Sequence, residues 1–402
     1  MSTMARQGHP LRIALVSPYD FAVPGGVTTH IVNLAARFRD LGHSVHILAP
    51  SSTDEPEHSV NNFHRVGKTI VPLRSNASIA RVSFSLTLGP QVKSILREND
   101  FDVIHLHEPM APLLPWYVLW HSNCVNVATF HASRETRTVY RTYKPFIKRM
   151  FKRLHGKIAV SRTAKDFVWG SFKGDYRNIP NGIDVGAYSR EITPFDHLQD
   201  GKFNVLFVGR LEKRKGLPYL LDAMEIVQKL RRNTRLIVVG AFADRQLAKA
   251  RRRVKHCGLT DVLFEGFASE EDKIRYFKSA DLFCAPAKGD GRESQGLVLL
   301  EAMAAGTPVV ASDLLGYRTV SPGGSAALYV PPEDPRALAR AILRMMDYPE
   351  TAARYQLAGS RKASEYSWEV IAEEVMGYYR ELLRLHGGMR ADRTMTSVGT
   401  LA

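Results

Sequence analysis

Glu293 and Glu301 stand eight positions apart in the run Glu-Ser-Gln-Gly-Leu-Val-Leu-Leu-Glu, and that spacing is the first chemical signal in the chain. An apolar run, Leu282-Phe-Cys-Ala-Pro286, and a glycine-rich stretch, Lys288-Gly-Asp-Gly-Arg292, precede it. Ala302-Met-Ala-Ala-Gly306 and Thr307-Pro-Val-Val-Ala-Ser-Asp313 follow. The order reads as strand, glycine loop, helix, turn and strand. It predicts Glu293 at a helix N-terminus that also faces an anion, with Glu301 roughly 12 Å further along the same axis. Two carboxylates so placed suit opposite ends of a nucleotide-sugar, one at the sugar and one at the ribose. A favourable N-terminal charge alone would explain a lone glutamate. The glycines, the spacing and the following strand favour a site.

Cations are placed to match. Gly209-Arg-Leu-Glu-Lys-Arg-Lys-Gly216 follows an apolar strand, so Arg210, Arg214 and Lys215 would neutralise a diphosphate leaving group. Pro24-Gly-Gly-Val27 lies between the first strand and the first helix, where glycines let backbone approach phosphate and a helix N-terminus offers N–H donors. It is neither the G-x-G-x-x-G fingerprint nor a P-loop, which lowers the standing of nicotinamide and ATP chemistry. His131 ends a strand, as a polar anchor or ligand would. His105 and His107 alternate beside Glu108, but no HExxH and no third ligand is visible, so no metal is expected. Asp100-Phe-Asp102 forms a D-x-D that reads as the polar start of a strand.

These groups need strands to carry them. Apolar runs at Leu11–Ser17, Val45–Leu48, Phe101–His107, Asn126–Phe130, Lys157–Ser161 and Asn178–Pro180 alternate with helical spacing, as from Thr28 to Leu41. The pattern restarts at Phe203–Arg210 and continues at Arg235–Gly240, Val262–Phe264, Leu282–Ala285, Pro308–Ala311 and Ala327–Val330. The expected fold is α/β: two Rossmann-like doubly wound parallel sheets facing each other across a cleft, with ligands outside the strands' carboxyl ends. The expected domains are residues 1–195 for the acceptor and 196–366 for the nucleotide-sugar. A helix over 367–385 and a disordered tail over 386–402 complete the chain.

The chain has 402 residues, 45% apolar and 24% charged, which fits two globular cores and excludes a disordered protein. Three scattered cysteines exclude a disulfide framework and fit a reducing compartment. The N-terminus lacks the apolar core of a signal peptide, and Met110–Trp120 is too short to span a bilayer. A net charge of +15 fits phosphorylated substrates, an anionic membrane surface or nucleic acid. Arginines and lysines from Arg134 to Lys157 alternate with apolar residues at helical spacing, as in a basic amphipathic helix. The second basic run, Lys249–Lys255, reads as a solvated helix face. No nucleic-acid module accompanies either run, so no nucleic-acid partner is expected.

Taken together, Ser17-Pro-Tyr-Asp-Phe-Ala-Val-Pro-Gly-Gly-Val27, the Gly209–Gly216 run, Pro180-Asn-Gly-Ile-Asp184 and the Glu293–Asp313 segment resemble retaining GT-B glycosyltransferases of the glycosyltransferase-4 class. Within that class, His107-Glu-Pro-Met-Ala-Pro112, Asn76-Ala-Ser-Ile-Ala-Arg81 and Val127-Ala-Thr-Phe-His131 are most similar to the phosphatidyl-myo-inositol mannosyltransferases. The resemblance implies transfer of mannose from GDP-mannose to the inositol of an anionic membrane phospholipid. Configuration would be retained, no metal or other cofactor would be required, and the enzyme would lie peripherally on the cytoplasmic face of the membrane. It implies that Gly26, Arg210, Arg214 and Lys215 hold the diphosphate. Glu293 would contact the sugar, with the backbone of Ser294, Gln295, Gly296 and Leu297 around it. Glu301 would take the ribose and Lys273 would lie near the base. Tyr19 would line the sugar site and His131 would assist transfer. Thr28, Asn76 and Arg81 would meet the inositol phosphate. The chain departs from the family pattern at Ala22, where an acidic residue is usual, and at Thr28, where glutamine is. A UDP-sugar-dependent hexosyltransferase acting on a soluble inositol phosphate or glycan is the alternative enzyme. A non-catalytic nucleotide-sugar-binding protein is the alternative outside catalysis.

Overall fold

The computed structural model of the protein describes residues 9–54, 56, 62–75, 78–85, 87–131, 147–289 and 293–386. The chain divides into two compact units: residues up to Pro180 with those from Trp368 onward, and Asn181–Ser367. Each is an α/β unit built on one parallel sheet.

The sheet of the first unit contains β1 (Arg12–Val16), β2 (Ser44–Ala49), β3 (Phe63–Arg65), β6 (Val103–His107), β7 (Val125–Phe130), β8 (Gly156–Ala159) and β9 (Arg177–Asn178). Their order is β3-β2-β1-β6-β7-β8-β9, all parallel. Strands covered on both faces read as unbroken apolar runs, which is why most were visible in the sequence. An antiparallel hairpin, β4 (Ile70–Ser75) and β5 (Ser78–Ser83), stands apart from that sheet. Helix α1 (Gly26–Asp40) follows β1 and buries Ile31, Leu34, Ala35 and Phe38. Helices α2 (Leu88–Asn99) and α3 (Leu114–His121) flank β6. Residues 147–151 form helix α4, which buries Ile147, Met150 and Phe151 and exposes Lys148 and Arg149. The basic run is thus amphipathic where described; Arg134 to Phe146 lie outside the described residues. Helix α5 (Arg162–Trp169) precedes β9. The C-terminal helix, α14 (Trp368–His386), belongs to this unit, and its Trp368, Ile371, Val375 and Tyr379 pack among Ile31, Phe38, Val103 and Val127. The residues expected to form a disordered tail lie, beyond His386, outside the described residues.

The sheet of the second unit contains β10 (Phe203–Val208), β11 (Thr234–Val239), β12 (Val262–Gly266), β13 (Leu282–Ala285), β14 (Val309–Ser312) and β15 (Leu328–Val330). Their order is β12-β11-β10-β13-β14-β15, again all parallel. Helices α6 (Val185–Ser189), α7 (Leu217–Leu230), α8 (Asp244–His256), α9 (Glu270–Ser279), α10 (Leu297–Ala304), α11 (Leu315–Arg318), α12 (Pro335–Asp347) and α13 (Pro349–Ser364) surround it. Helix α8 carries the second basic run and buries only Ala250, as a solvated face should.

In each sheet the chain winds outward in both directions from a central pair, β1 with β6 and β10 with β13. Loops leaving the carboxyl ends of such a pair diverge and leave a crevice where ligands bind. No described helix is long and apolar enough to cross a membrane.

Candidate functional site

In the second unit the loop after β10 and the loop after β13 meet at that crevice. Lys288 N–H donates to Arg214 C=O at 2.8 Å. Gly216 has φ +75°, and a Cβ there would lie 1.7 Å from the Pro286 carbonyl oxygen. Only glycine permits both the left-handed backbone and this approach. The closure brings three predicted residues together. Arg214 Nη1 donates to Glu293 Oε1 at 2.5 Å, and Lys215 Nζ lies 2.9 Å from the same oxygen. Glu212 extends the network, accepting from Arg214 Nε at 2.6 Å and pairing with Arg210 Nε at 3.1 Å. Glu293 is 9% exposed, and these partners offset the cost of burying it.

Glu293 is not at the start of a helix. Helix α10 begins at Leu297 with Gly296 as its N-cap in the left-handed region, φ +80°. A Cβ on Gly296 would sit 2.6 Å from the Tyr317 ring, so the chain must turn here before it can coil. Glu293 therefore lies in the loop. The rise of a single helix does not set its distance from Glu301. Gln295 is buried and its side chain is used internally: Oε1 accepts from Asn181 N and Nδ2, both at 2.9 Å, and Nε2 donates to Asn181 C=O at 3.0 Å. It pins the Asn181 turn to the loop that carries Glu293. Ser294 is half-buried beside it.

Glu301, on the next turn of α10, meets Lys273 of α9 at 3.3 Å, and Lys273 also reaches Glu270 at 2.9 Å. Burial pushes the Glu301 carboxyl above its usual range, against the pull of Lys273. Burial opposes the Lys273 charge too, but Glu301 and Glu270 outweigh it and hold the ammonium above its ordinary value.

In the first unit the corresponding ends carry imidazoles. His107 closes β6 and His131 follows β7; His107 Nδ1 and His131 Nε2 are 3.0 Å apart. The His131 backbone N–H donates to Glu108 Oε1 at 2.6 Å, and Glu108 is buried with φ +49°, a strained value for a side chain of that size. His105 is engaged at both nitrogens, with Tyr379 Oη and Thr129 Oγ1, each at 2.6 Å. Burial lowers its pKa to about 3. Burial, then the neighbouring histidines, also holds His107 well below the ordinary value.

The sequence reading found no third ligand beside His105 and His107. The structure groups His107 with other imidazoles and not with His105: one nitrogen of each of His30, His107 and His131 lies within 4.8 Å of the others. His30 sits in α1, buried with Ile31 and Leu34, and its ring stands edge-on to Trp368 at 5.1 Å. Neither residue belongs to a recognisable motif.

Tyr19 forms a bridge with Val82, and Asp20 N–H donates to Arg81 C=O at 2.8 Å, so the loop after β1 is sewn to β5. That places Tyr19 beside Arg81. Gly26 opens α1, and a Cβ there would meet nothing within 4 Å, so the fold itself does not require glycine. Thr28 is buried. Asn76 lies outside the described residues. Asp100 and Asp102 hold Arg12, with Asp102 Oδ2 accepting from Arg12 N at 2.8 Å, at the amino end of β6. The D-x-D is structural.

Residues 24–187 match the family described as Glycosyltransferase Family 4, and residues 189–362 match Glycosyl transferases group 1. The chain is 38% identical over 373 residues to a phosphatidyl-myo-inositol mannosyltransferase of Mycobacterium leprae, covering 92% of this chain and 96% of the relative. It is 36% identical to the enzyme of the same name from Mycobacterium tuberculosis, with the same coverage of each. Among solved structures it resembles HepE of Anabaena in complex with UDP, with a TM-score of 0.74 at 19% identity, covering 92% of this chain and all of that one. That likeness carries the fold, GT-B.

Proposed function

We propose a specific reaction for this chain, which belongs to the family 4, group 1 glycosyltransferases of the GT-B fold and is a hexosyltransferase: retaining transfer of mannose from GDP-mannose to the inositol of phosphatidyl-myo-inositol, on the cytoplasmic face of the membrane. The observation that carries it is the Arg214–Glu293–Lys215 constellation at the carboxyl ends of β10 and β13. Breaking a glycosyl–phosphate bond leaves charge on the diphosphate. Arg214, Lys215 and the more exposed Arg210 supply fixed cations for it, and no reorganisation is needed when the charge appears. Arginine has five donors, and the bonds from Arg214 to Glu212 and Glu293 engage only two of its nitrogens.

In this reading Glu293 contacts the sugar, and the backbone from Ser294 to Leu297 lies along sugar and phosphates. Glu301 takes the ribose hydroxyls and Lys273 lies near the base. Gly26 leaves room for phosphate against the start of α1. His131 assists transfer, Tyr19 lines the sugar, and Thr28, Asn76 and Arg81 take the inositol phosphate. No added metal or other cofactor enters the scheme. The acceptor follows from the named relatives, and peripheral membrane contact has support in the first unit. Lys148, Arg149 and Lys152 are exposed, and the Arg149 guanidinium lies 5.8 Å from the ring centroid of Trp120, itself 52% exposed. Cations beside an anionic bilayer contribute about 1 kcal/mol each.

The test offers GDP-mannose, GDP-glucose, UDP-glucose and UDP-galactose with phosphatidylinositol vesicles or soluble inositol phosphate, read by mass spectrometry and by NMR of the anomeric proton. One mannose on the lipid, from GDP-mannose, with the α configuration, is expected. Preferential use of a UDP-sugar, or equal transfer to the soluble acceptor, would overturn the assignment.

A further inference from the structure

Three elements converge on one group of imidazoles: α1 with His30, the end of β6 with His107 and the residue after β7 with His131. One ring nitrogen of each lies within 4.8 Å of the other two, and the His107–His131 pair is at 3.0 Å. His30 and His107 are almost wholly buried, while His131 is half-buried and gives the cluster a solvent side. His107 is anomalous. Its Nδ1 faces His131, but its Nε2 meets no hydrogen-bond partner among the described residues. Either tautomer then leaves a buried imidazole nitrogen unsatisfied, a state that calls for an explanation.

We infer that His30, His107 and His131 form a three-imidazole site for a borderline divalent cation of the Zn2+ class, one that silences His131 instead of serving the reaction. Imidazole-only ligand sets suit Zn2+, Cu2+ and Ni2+, whereas Mg2+ and Ca2+ prefer oxygen. Three histidines leave a fourth position for water, and the half-buried side of His131 faces solvent to provide it. His105, stacked on His107 with centroids 4.4 Å apart, is not a ligand because Tyr379 and Thr129 engage both its nitrogens. Glu108 Oε1 accepts from the His131 backbone N–H and so orients the residue. A cation held here would give His107 a partner and tie up the His131 ring, taking it out of the proposed reaction. The site stands on the cluster alone, and only its effect on transfer rests on the function proposed above.

The experiment uses the full untagged chain, stripped with EDTA and titrated with Zn2+ alone by calorimetry, and with Co2+ by visible absorption. One saturable Zn2+ site per chain is expected, with Co2+ bands of low coordination number. His131→Ala and His30→Ala should each weaken binding at least about tenfold. The double variant His46→Ala/His64→Ala removes the other close histidine pair, at 2.8 Å, and should leave the site intact. Because His30 is buried, its variant counts only with a wild-type melting curve; His131→Ala, at the solvent side, decides otherwise. Absence of saturable binding, or binding that survives His131→Ala, overturns the site. Zn2+ should also slow transfer, with EDTA restoring it. Tight binding with an unaltered rate would overturn the silencing alone, and absence of any transfer would instead defeat the proposed reaction, leaving the binding result to stand.

Discussion

The loops leaving β6 and β7 in the first unit hold imidazoles, whereas those leaving β10 and β13 in the second hold guanidinium, ammonium and carboxylate groups. Both sets are shielded from water at the carboxyl ends of a parallel sheet, and they meet the cost of burial differently. An imidazole can give up its proton and stay neutral. Burial lowers the pKa of His43, His46, His64, His105, His107 and His155, all of the first unit. A buried carboxylate is compensated by pairing, and Glu293 is held by two cations. One centre is preorganised through hydrogen bonds between neutral groups, and the other through charge.

The sharpest way to break this contrast is Glu293→Ala. It removes the anion that Arg214 and Lys215 share and the proposed contact to the sugar. Transfer should fall by about 10²–10³ or more, as when a preorganised polar group is lost. Far-UV circular dichroism should stay wild-type, because Glu293 lies in a loop. A rate within a few-fold of wild type would remove Glu293 from the site.

A pair of glycines separates geometry from packing. At Gly216 a Cβ would strike the Pro286 carbonyl and adopt a left-handed backbone, so Gly216→Ala should cost about 1–3 kcal/mol in urea unfolding and reduce transfer by parting Arg214 from Glu293. At Gly26 a Cβ would meet nothing, so Gly26→Ala should leave stability within about 0.5 kcal/mol and raise the KM for the donor. Equal destabilisation by both would mean that Gly26 serves the fold and not a phosphate.

What the sequence disclosed follows the same physics. Strands such as β1, β10 and β11 are buried on both faces and read as continuous apolar runs. The hairpin β4–β5 carries Pro72, Arg74 and Arg81 among its apolar residues and did not stand out. Arg214 and Lys215 were legible because glycines bracket a charged run just after a strand. Their contact with Glu293 required the closeness of β10 and β13, which are distant in sequence. Glu293 was misplaced onto a helix because its neighbours have good helical spacing, while the Tyr317 ring that forces the turn at Gly296 comes from α11. His30 was invisible: a histidine one turn inside an amphipathic helix has no signature, and only the fold brings it to His107.

The mildest test uses acidity, since it perturbs neutral imidazoles before paired carboxylates. Burial lowers His105 to about 3 and His46 to about 4, from an unfolded value near 6.5. Between those values and 6.5 the unfolded chain binds protons that the folded chain refuses. These groups therefore contribute stability that is fully present above pH 6.5 and is lost as pH falls towards 4. The slope is at most about 1.4 kcal/mol per pH unit for each proton taken up, and less for His46, which solvent screens in part. All four tryptophans, Trp116, Trp120, Trp169 and Trp368, belong to the first unit, so their fluorescence follows that unit alone. The urea midpoint read by fluorescence should drop steadily from pH 6.5 to 4.5 and stay level from 6.5 to 7.5. His105→Gln, which titrates nothing, should flatten part of that slope. A fluorescence midpoint indifferent to pH over this range would mean that the first unit's imidazoles are not held neutral by burial, and the contrast between the two centres would lose its basis.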